Sequence, residues 1–195
     1  MNYLAHAFLS FNHEEILVGN MISDFVKGKR KFDYDENIQK GIHLHRKIDH
    51  YTDQHLANKE LKLIFKPYYG LYSGAIMDVL YDHFLANDET YFTEKELLEF
   101  SQRSYDILDI HCSIFPERFA LMFPSMKKHD WFFHYRFHEG IRQSLGGLQR
   151  RAKYIFETDT AFRLFNEHYE TLQAGYHDFF PDLLEMTRST YQELI

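Results

Sequence analysis

Four stretches of this chain set polar residues four apart on segments that are otherwise apolar, and this limits what it can fold into. The longest, 41–55, reads GIHLHRKIDHYTDQH. As a helix it puts His45, Asp49 and Asp53 at successive i, i+4 steps along one face, with Arg46 beside them and Ile42, Leu44 and Ile48 left for packing. The spacing recurs at Asn2 and His6 in MNYLAHAFL, at Asn20 and Asp24 in GNMISDFVKG, and at Asp78 and Asp82 in AIMDVLYDHFL, where His83 follows directly. A solvated, ion-paired helix face is the bland reading of the 41–55 stretch alone. Carboxylates among core residues are costly unless they are paired or hold a metal. Four such helices therefore predict one shared site.

Taken in order, the chain predicts helices and little else. A short apolar helix covers 1–11, Asn12 caps a second over 13–27, and Gly28 ends it as a C-terminal glycine. Asp33 or Asp35 caps a central helix over 35–55, another runs 58–66 and stops before Pro67, and a further one spans 74–86. Thr93-x-x-Glu96 is a capping box opening a helix to about His111. Pro116 starts a helix that Pro124 breaks, and Gly146-Gly147 disrupts the helix that passes through Arg142. A last helix covers 159–193 with a kink or restart at Pro181. No segment alternates with period two, and no repeat or linker divides the chain. The expectation is an all-α, single-domain helical bundle over residues 1–195.

Composition narrows the function. A formal charge of −7 argues against nucleic-acid binding in general, and no run approaches the ~18 apolar residues of a membrane span. Aromatic content of 17%, with 19 Phe and 14 Tyr, points to a core of large rings. The single cysteine, Cys112, supports neither a disulfide framework nor a thiolate zinc site; it is expected to be small and buried, in a soluble protein of the reducing cytoplasm. No signal peptide is read at the N-terminus.

The common nucleotide, zincin and serine-hydrolase motifs are absent. What remains is carboxylate, imidazole and guanidinium, a set suited to metal-assisted hydrolysis at phosphorus with Mn²⁺, Mg²⁺ or Fe²⁺. The basic cluster Lys27, Lys29, Arg30 and Lys31 follows Asp24 closely and reads either as a solvated loop or as a landing point for an anionic substrate.

The four blocks MNYLAHAFLS, GNMISDFVKG, GIHLHRKIDHYTD and MDVLYDHFL, in this order over about residues 1–85, resemble the acyl carrier protein phosphodiesterases. The resemblance implies a helical protein related to the HD-domain phosphohydrolases. It further implies removal of 4′-phosphopantetheine from holo-acyl carrier protein with Mn²⁺ as the favoured ion. Carried over by position, it implies a site of Asp24, His45, Arg46, Asp49, Asp78, Asp82 and His83, with His6 and Asn20 close by.

The mechanism expected on this basis has Asp24, Asp78, Asp82 and a histidine, His6, holding one or two divalent ions that activate water. Arg46 and the metal stabilise the phosphoryl oxygens, and His83, His45 or a metal-bound water protonates the departing seryl oxygen. Asp49 and Asp53 are expected to support Arg46 and His45. An acidic carrier would need Lys27, Lys29, Arg30 and Lys31, or failing them Arg142, Arg150, Arg151 and Lys153, to overcome net repulsion. Hydrolysis of a small phosphoester and a non-enzymatic helical module are the alternatives.

Overall fold

The computed structural model describes residues 1–195: eleven α-helices, short 3₁₀ turns and no strand. The helices are α1 (Tyr3–Phe8), α2 (Glu14–Ile22), α3 (Glu36–Gln54), α4 (Leu56–Tyr69), α5 (Ser73–Ala86), α6 (Glu94–Ile110), α7 (Glu117–Lys128), α8 (Trp131–His134), α9 (His138–Arg151), α10 (Asp159–Glu167) and α11 (Tyr169–Leu194). No helix is long and apolar enough to cross a membrane.

α5 is apolar on nearly every side, and Ile76, Met77, Val79, Leu80, Tyr81, Phe84 and Leu85 are all buried, so it runs through the interior. α1, α4, α9 and α11 pack around it, and α3 lies against α2, α4 and α11. The buried apolar residues form one cluster of 48, so the helices enclose a single core. The aromatics fill it as expected, and the hydroxyls of the deepest tyrosines are satisfied: Tyr81 donates to Asn58, Tyr105 accepts the Phe132 N–H and Tyr135 accepts from Asn2.

The crossing of α2 and α3 positions the site. A Cβ on Gly19 would stand 2.1 Å from the Ile38 carbonyl oxygen, and one on Gly41 would stand 2.3 Å from the Ile16 carbonyl oxygen. Two glycines facing each other let these backbones touch, which brings Asn20 against His45.

The expected boundaries move where side-chain context overrides a local signal. Phe11 and Asn12 adopt positive φ (51° and 60°), so α1 ends at Phe8, and His13 rather than Asn12 caps α2. α2 stops at Ile22, and a 3₁₀ turn carries Asp24. Pro67, Pro124 and Pro181 break nothing: each lies inside its helix on the exposed side, where water solvates the freed carbonyl while buried neighbours hold the turn. α9 runs through Gly146-Gly147, anchored by Ile141 and Leu145, and the last helix divides at His168. The capping box of Thr93 and Glu96 is present. Cys112 is exposed, not buried.

Candidate metal centre

Two imidazoles from different helices stack face to face. His6 on α1 and His45 on α3 have ring centroids 3.9 Å apart and planes 13° apart. Asn20 on α2 holds both from behind. Its side-chain oxygen accepts the Nδ1–H of His6 at 2.8 Å, and its backbone carbonyl accepts the Nδ1–H of His45 at 2.8 Å. The amide of Asn20 cannot turn over, because its nitrogen donates to the His6 carbonyl (2.8 Å) and to Ser10 Oγ (3.1 Å).

With Nδ1 committed on both rings, both Nε2 atoms face the same way. They meet carboxylates: His6 Nε2 lies 3.2 Å from Asp49 Oδ1, and His45 Nε2 lies 3.1 Å from Asp49 Oδ2 and 3.2 Å from Asp24 Oδ1. One ligating atom from each of His6, His45 and Asp49 falls within 4.8 Å of the others. An Nε2 lone pair facing a carboxylate is repulsive unless a proton or a cation lies between them. Imidazoles fixed through Nδ1 by an outer hydrogen bond are the usual arrangement of histidine ligands. The donor set therefore fits a divalent ion.

Electrostatics agree with this geometry. Burial and the neighbouring His45 push the ring of His6 down to about 4. Burial opposes charge on His45 too, but hydrogen bonds to Asp24 and Asp49 outweigh it and raise the ring to about 9. Burial would raise Asp49; the Met1 amine and the two histidines instead hold it far below the usual carboxylate range. The hydrogen bond from His45 lowers Asp24, whose side chain is exposed at the mouth rather than enclosed in the core.

The remaining expected residues divide between this site and other roles. Asp78 stands next to it through the Met1 amine, which lies 3.0 Å from Asp78 Oδ1 and 3.4 Å from Asp49 Oδ1. Asp82 is wholly buried, and its oxygens accept the backbone N–H groups of Leu4 (2.8 Å) and Ala5 (3.1 Å). It thus serves the unpaired amides that open α1, a capping role played from another helix, which leaves it poorly placed as a metal ligand. Asn2 turns away from His6 to bond the Tyr135 hydroxyl. His83 is not brought to the cluster: its Nδ1 bonds the Tyr135 carbonyl (2.7 Å) and its Nε2 the Tyr169 hydroxyl (3.0 Å). Neighbouring helical residues point about 100° apart, and here that angle separates Asp82 from His83 entirely.

Asp49, expected as a support, faces the Nε2 atoms of both imidazoles, whereas Asp53 pairs with Lys62 at 2.6 Å outside the site. Arg46 is exposed on α3 and donates to the Val26 carbonyl at 3.1 Å. Lys27, Lys29, Arg30 and Lys31 lie on the turn just past Asp24 and have no carboxylate partner within 4.0 Å. The sequence reading missed the Met1 amine, Ser10 and the glycine pair Gly19–Gly41. Only the last had a signal, two glycines inside helical patterns.

The family model described as acyl carrier protein phosphodiesterase matches residues 1–183. A relative of that description from Photorhabdus laumondii is 27% identical over 186 residues, 95% of this chain and 94% of its own. One from Yersinia pestis is 29% identical over 189 residues, covering 96% and 98%, and one from Klebsiella pneumoniae is 28% identical over 193 residues, covering 97% and 98%. No solved structure matches the chain. With a match spanning all but its last turns, this chain belongs to the acyl carrier protein phosphodiesterase family.

Proposed function

We propose that this chain hydrolyses the 4′-phosphopantetheine phosphodiester of holo-acyl carrier protein at the His6–His45–Asp49–Asp24 cluster. One water is consumed, the bond between phosphorus and the serine oxygen breaks, the serine hydroxyl is restored and 4′-phosphopantetheine leaves. The observation that carries this reading is the double hold of Asn20, which turns both Nε2 atoms toward Asp49 and Asp24. His6, His45, Asp49 and Asp24 would hold a divalent ion, Mn²⁺ by preference. When bound, such an ion supplies Lewis acidity, lowering the pKa of water and offsetting charge on phosphoryl oxygens.

The chain's own groups do the rest. Asp24, at the open side of the cluster, faces the side from which a phosphate enters. Arg46, one residue past His45 and exposed, offers a planar guanidinium to the phosphoryl oxygens. Lys27, Lys29, Arg30 and Lys31 present unpaired positive charge beside that mouth, which an acidic carrier requires of a chain with net charge −7.

The test is the mass of the carrier after incubation of holo-acyl carrier protein with the metal-stripped chain, with and without Mn²⁺. Loss of the phosphopantetheine mass only with Mn²⁺ supports the reading. An unchanged carrier under every ion, with turnover of a small phosphodiester instead, would overturn the carrier assignment.

A further inference from the structure

A cavity of about 650 Å³ opens between α1, α7, α8 and α9, and the site described above does not use it. Tyr3 and Asn2 line it, Met122 and Trp131 add apolar surface, and α9 supplies Arg142, Arg150 and Arg151. No carboxylate lines it, although the chain carries 29 acidic residues. Its volume falls in the range of about 300–1,000 Å³ usual for small-ligand pockets.

Three features set it apart from a solvated basic patch. Arg151 is held in place, with Nε donating to the Gly147 carbonyl (3.3 Å) and a terminal nitrogen to the Tyr3 hydroxyl (3.2 Å). Arg150 and Arg151 have no carboxylate partner, whereas Arg142 is already occupied by Asp159 at 3.2 Å. Gly146 and Gly147 leave the α9 wall bare: a Cβ on either would meet only the Arg150 guanidinium, at 3.6 Å. Helix α1 contributes to both the cavity and the metal centre. Tyr3 stands one turn before His6 on α1, about 4.5 Å along the axis. Its hydroxyl also feels the charges of Asp24 and Asp82.

We propose that this cavity is the arm pocket: it takes the phosphopantetheine chain, with Arg151 and Tyr3 at the phosphate end and the dimethyl-bearing chain along Met122 and Trp131. The inference rests on the reaction proposed above. The ligand chemistry matches the wall on each side. The phosphate meets guanidinium without competing carboxylates, the hydroxyl and amides of the arm meet Gln143 and Ser144, and its branched carbons meet a thioether and an indole. This arrangement would leave the carrier protein itself on the side of Lys27–Lys31.

Trp131 is the only tryptophan, so the intrinsic fluorescence of the full chain reports occupancy directly. The chain is titrated with 4′-phosphopantetheine, with pantetheine lacking the phosphate and with inorganic phosphate, and the comparison variants are Arg151→Ala and Gly147→Leu. The second removes no charged group, projects a side chain from the α9 wall beside the Arg150 guanidinium and suits a helix better than glycine. Expected is a saturable change with 4′-phosphopantetheine, at least tenfold weaker binding of pantetheine, and at least tenfold weaker 4′-phosphopantetheine binding in each variant. No saturable change, an equal response to inorganic phosphate, or unaltered binding in both variants would overturn the pocket. The two readings fail separately. Binding in the cavity without release from holo-acyl carrier protein removes the reaction and keeps the pocket. Release with kcat and KM unaltered in both variants removes the pocket and keeps the reaction.

Discussion

Asn20 and His6 hold each other at two points: the Nδ1–H of His6 donates to the Asn20 side-chain oxygen at 2.8 Å, and the Asn20 amide nitrogen donates back to the His6 carbonyl at 2.8 Å. This lock fixes the tautomer of one imidazole and the register of α1 on α2. Asn20→Ala leaves Nδ1 of His6 unpaired in a buried place. Mn²⁺ affinity, measured by calorimetry, is expected to fall about 10–100-fold. Urea unfolding should report a further loss of roughly 1–3 kcal/mol. An unchanged dissociation constant would show that Asn20 does not govern the centre.

Metal loading should stabilise the fold. At about 100 times its dissociation constant an ion that binds only the folded chain adds roughly 2.7 kcal/mol, a rise of about 5–11 °C in Tm for a chain of this size. Scanning calorimetry with Mn²⁺ and then chelator should show the rise and its reversal, and Asp49→Asn should show neither.

Gly19→Ala tests how the helices deliver the site. Its new methyl would stand 2.1 Å from the Ile38 carbonyl oxygen, which is backbone and cannot swing aside. A destabilisation of about 1–3 kcal/mol is expected from forcing α2 and α3 apart. Mn²⁺ affinity should fall with it, because the same separation draws the Asn20 carbonyl from His45. A variant that melts lower yet binds Mn²⁺ unchanged would uncouple the crossing from the centre.

The pH response follows from two buried histidines. Burial lowers His83 to about 4, despite the Tyr135 carbonyl, and lowers His6 to about 4. The unfolded rings titrate near 6.5, so between pH 6.5 and 4 these two rings bind more protons in the unfolded chain than in the folded one. The contribution of these two rings is full above pH 6.5 and falls as pH drops through that window, by at most about 1.4 kcal/mol per unit for each ring, whereas His45, raised to about 9, and Asp82, raised by burial to about 7, act in the opposite sense. Urea midpoints of the metal-free chain and of His83→Gln at several pH values isolate this ring: the variant should lose less stability than the parent as pH drops from 6.5 to 4. An unaltered slope in His83→Gln would mean the ring is not held neutral.

Much of this was legible in the residues, and what was not has a physical reason. Spacing placed His6, Asn20, His45 and Asp49 on the faces that meet, because i, i+4 steps are properties of a helix wherever it packs; Asp24 arrives instead from the 3₁₀ turn past α2. Spacing could not say that Asp82 spends both oxygens on the amides opening α1, since a capping group that reaches in from α5 leaves no mark near the end it caps. The step of about 100° between neighbouring helical residues does set Asp82 apart from His83, but where each ends up depends on which helices pass on either side of α5. The prolines misled for a related reason. A proline signal is local, but Pro124 and Pro181 lie on exposed sides of helices held by Phe123, Met126, Phe180 and Leu183. The Met1 amine between Asp49 and Asp78 has no sequence signature at all.

The most direct test of the account compares the chain with Asp49→Asn and His45→Gln in paired samples, reading Mn²⁺ binding by calorimetry and release of 4′-phosphopantetheine from holo-acyl carrier protein by mass. The expected result is that both variants keep the helical circular-dichroism spectrum and lose ion binding and release together, by at least tenfold each. A variant that no longer binds Mn²⁺ yet releases 4′-phosphopantetheine at the unaltered rate would contradict the claim that this cluster is the catalytic metal centre.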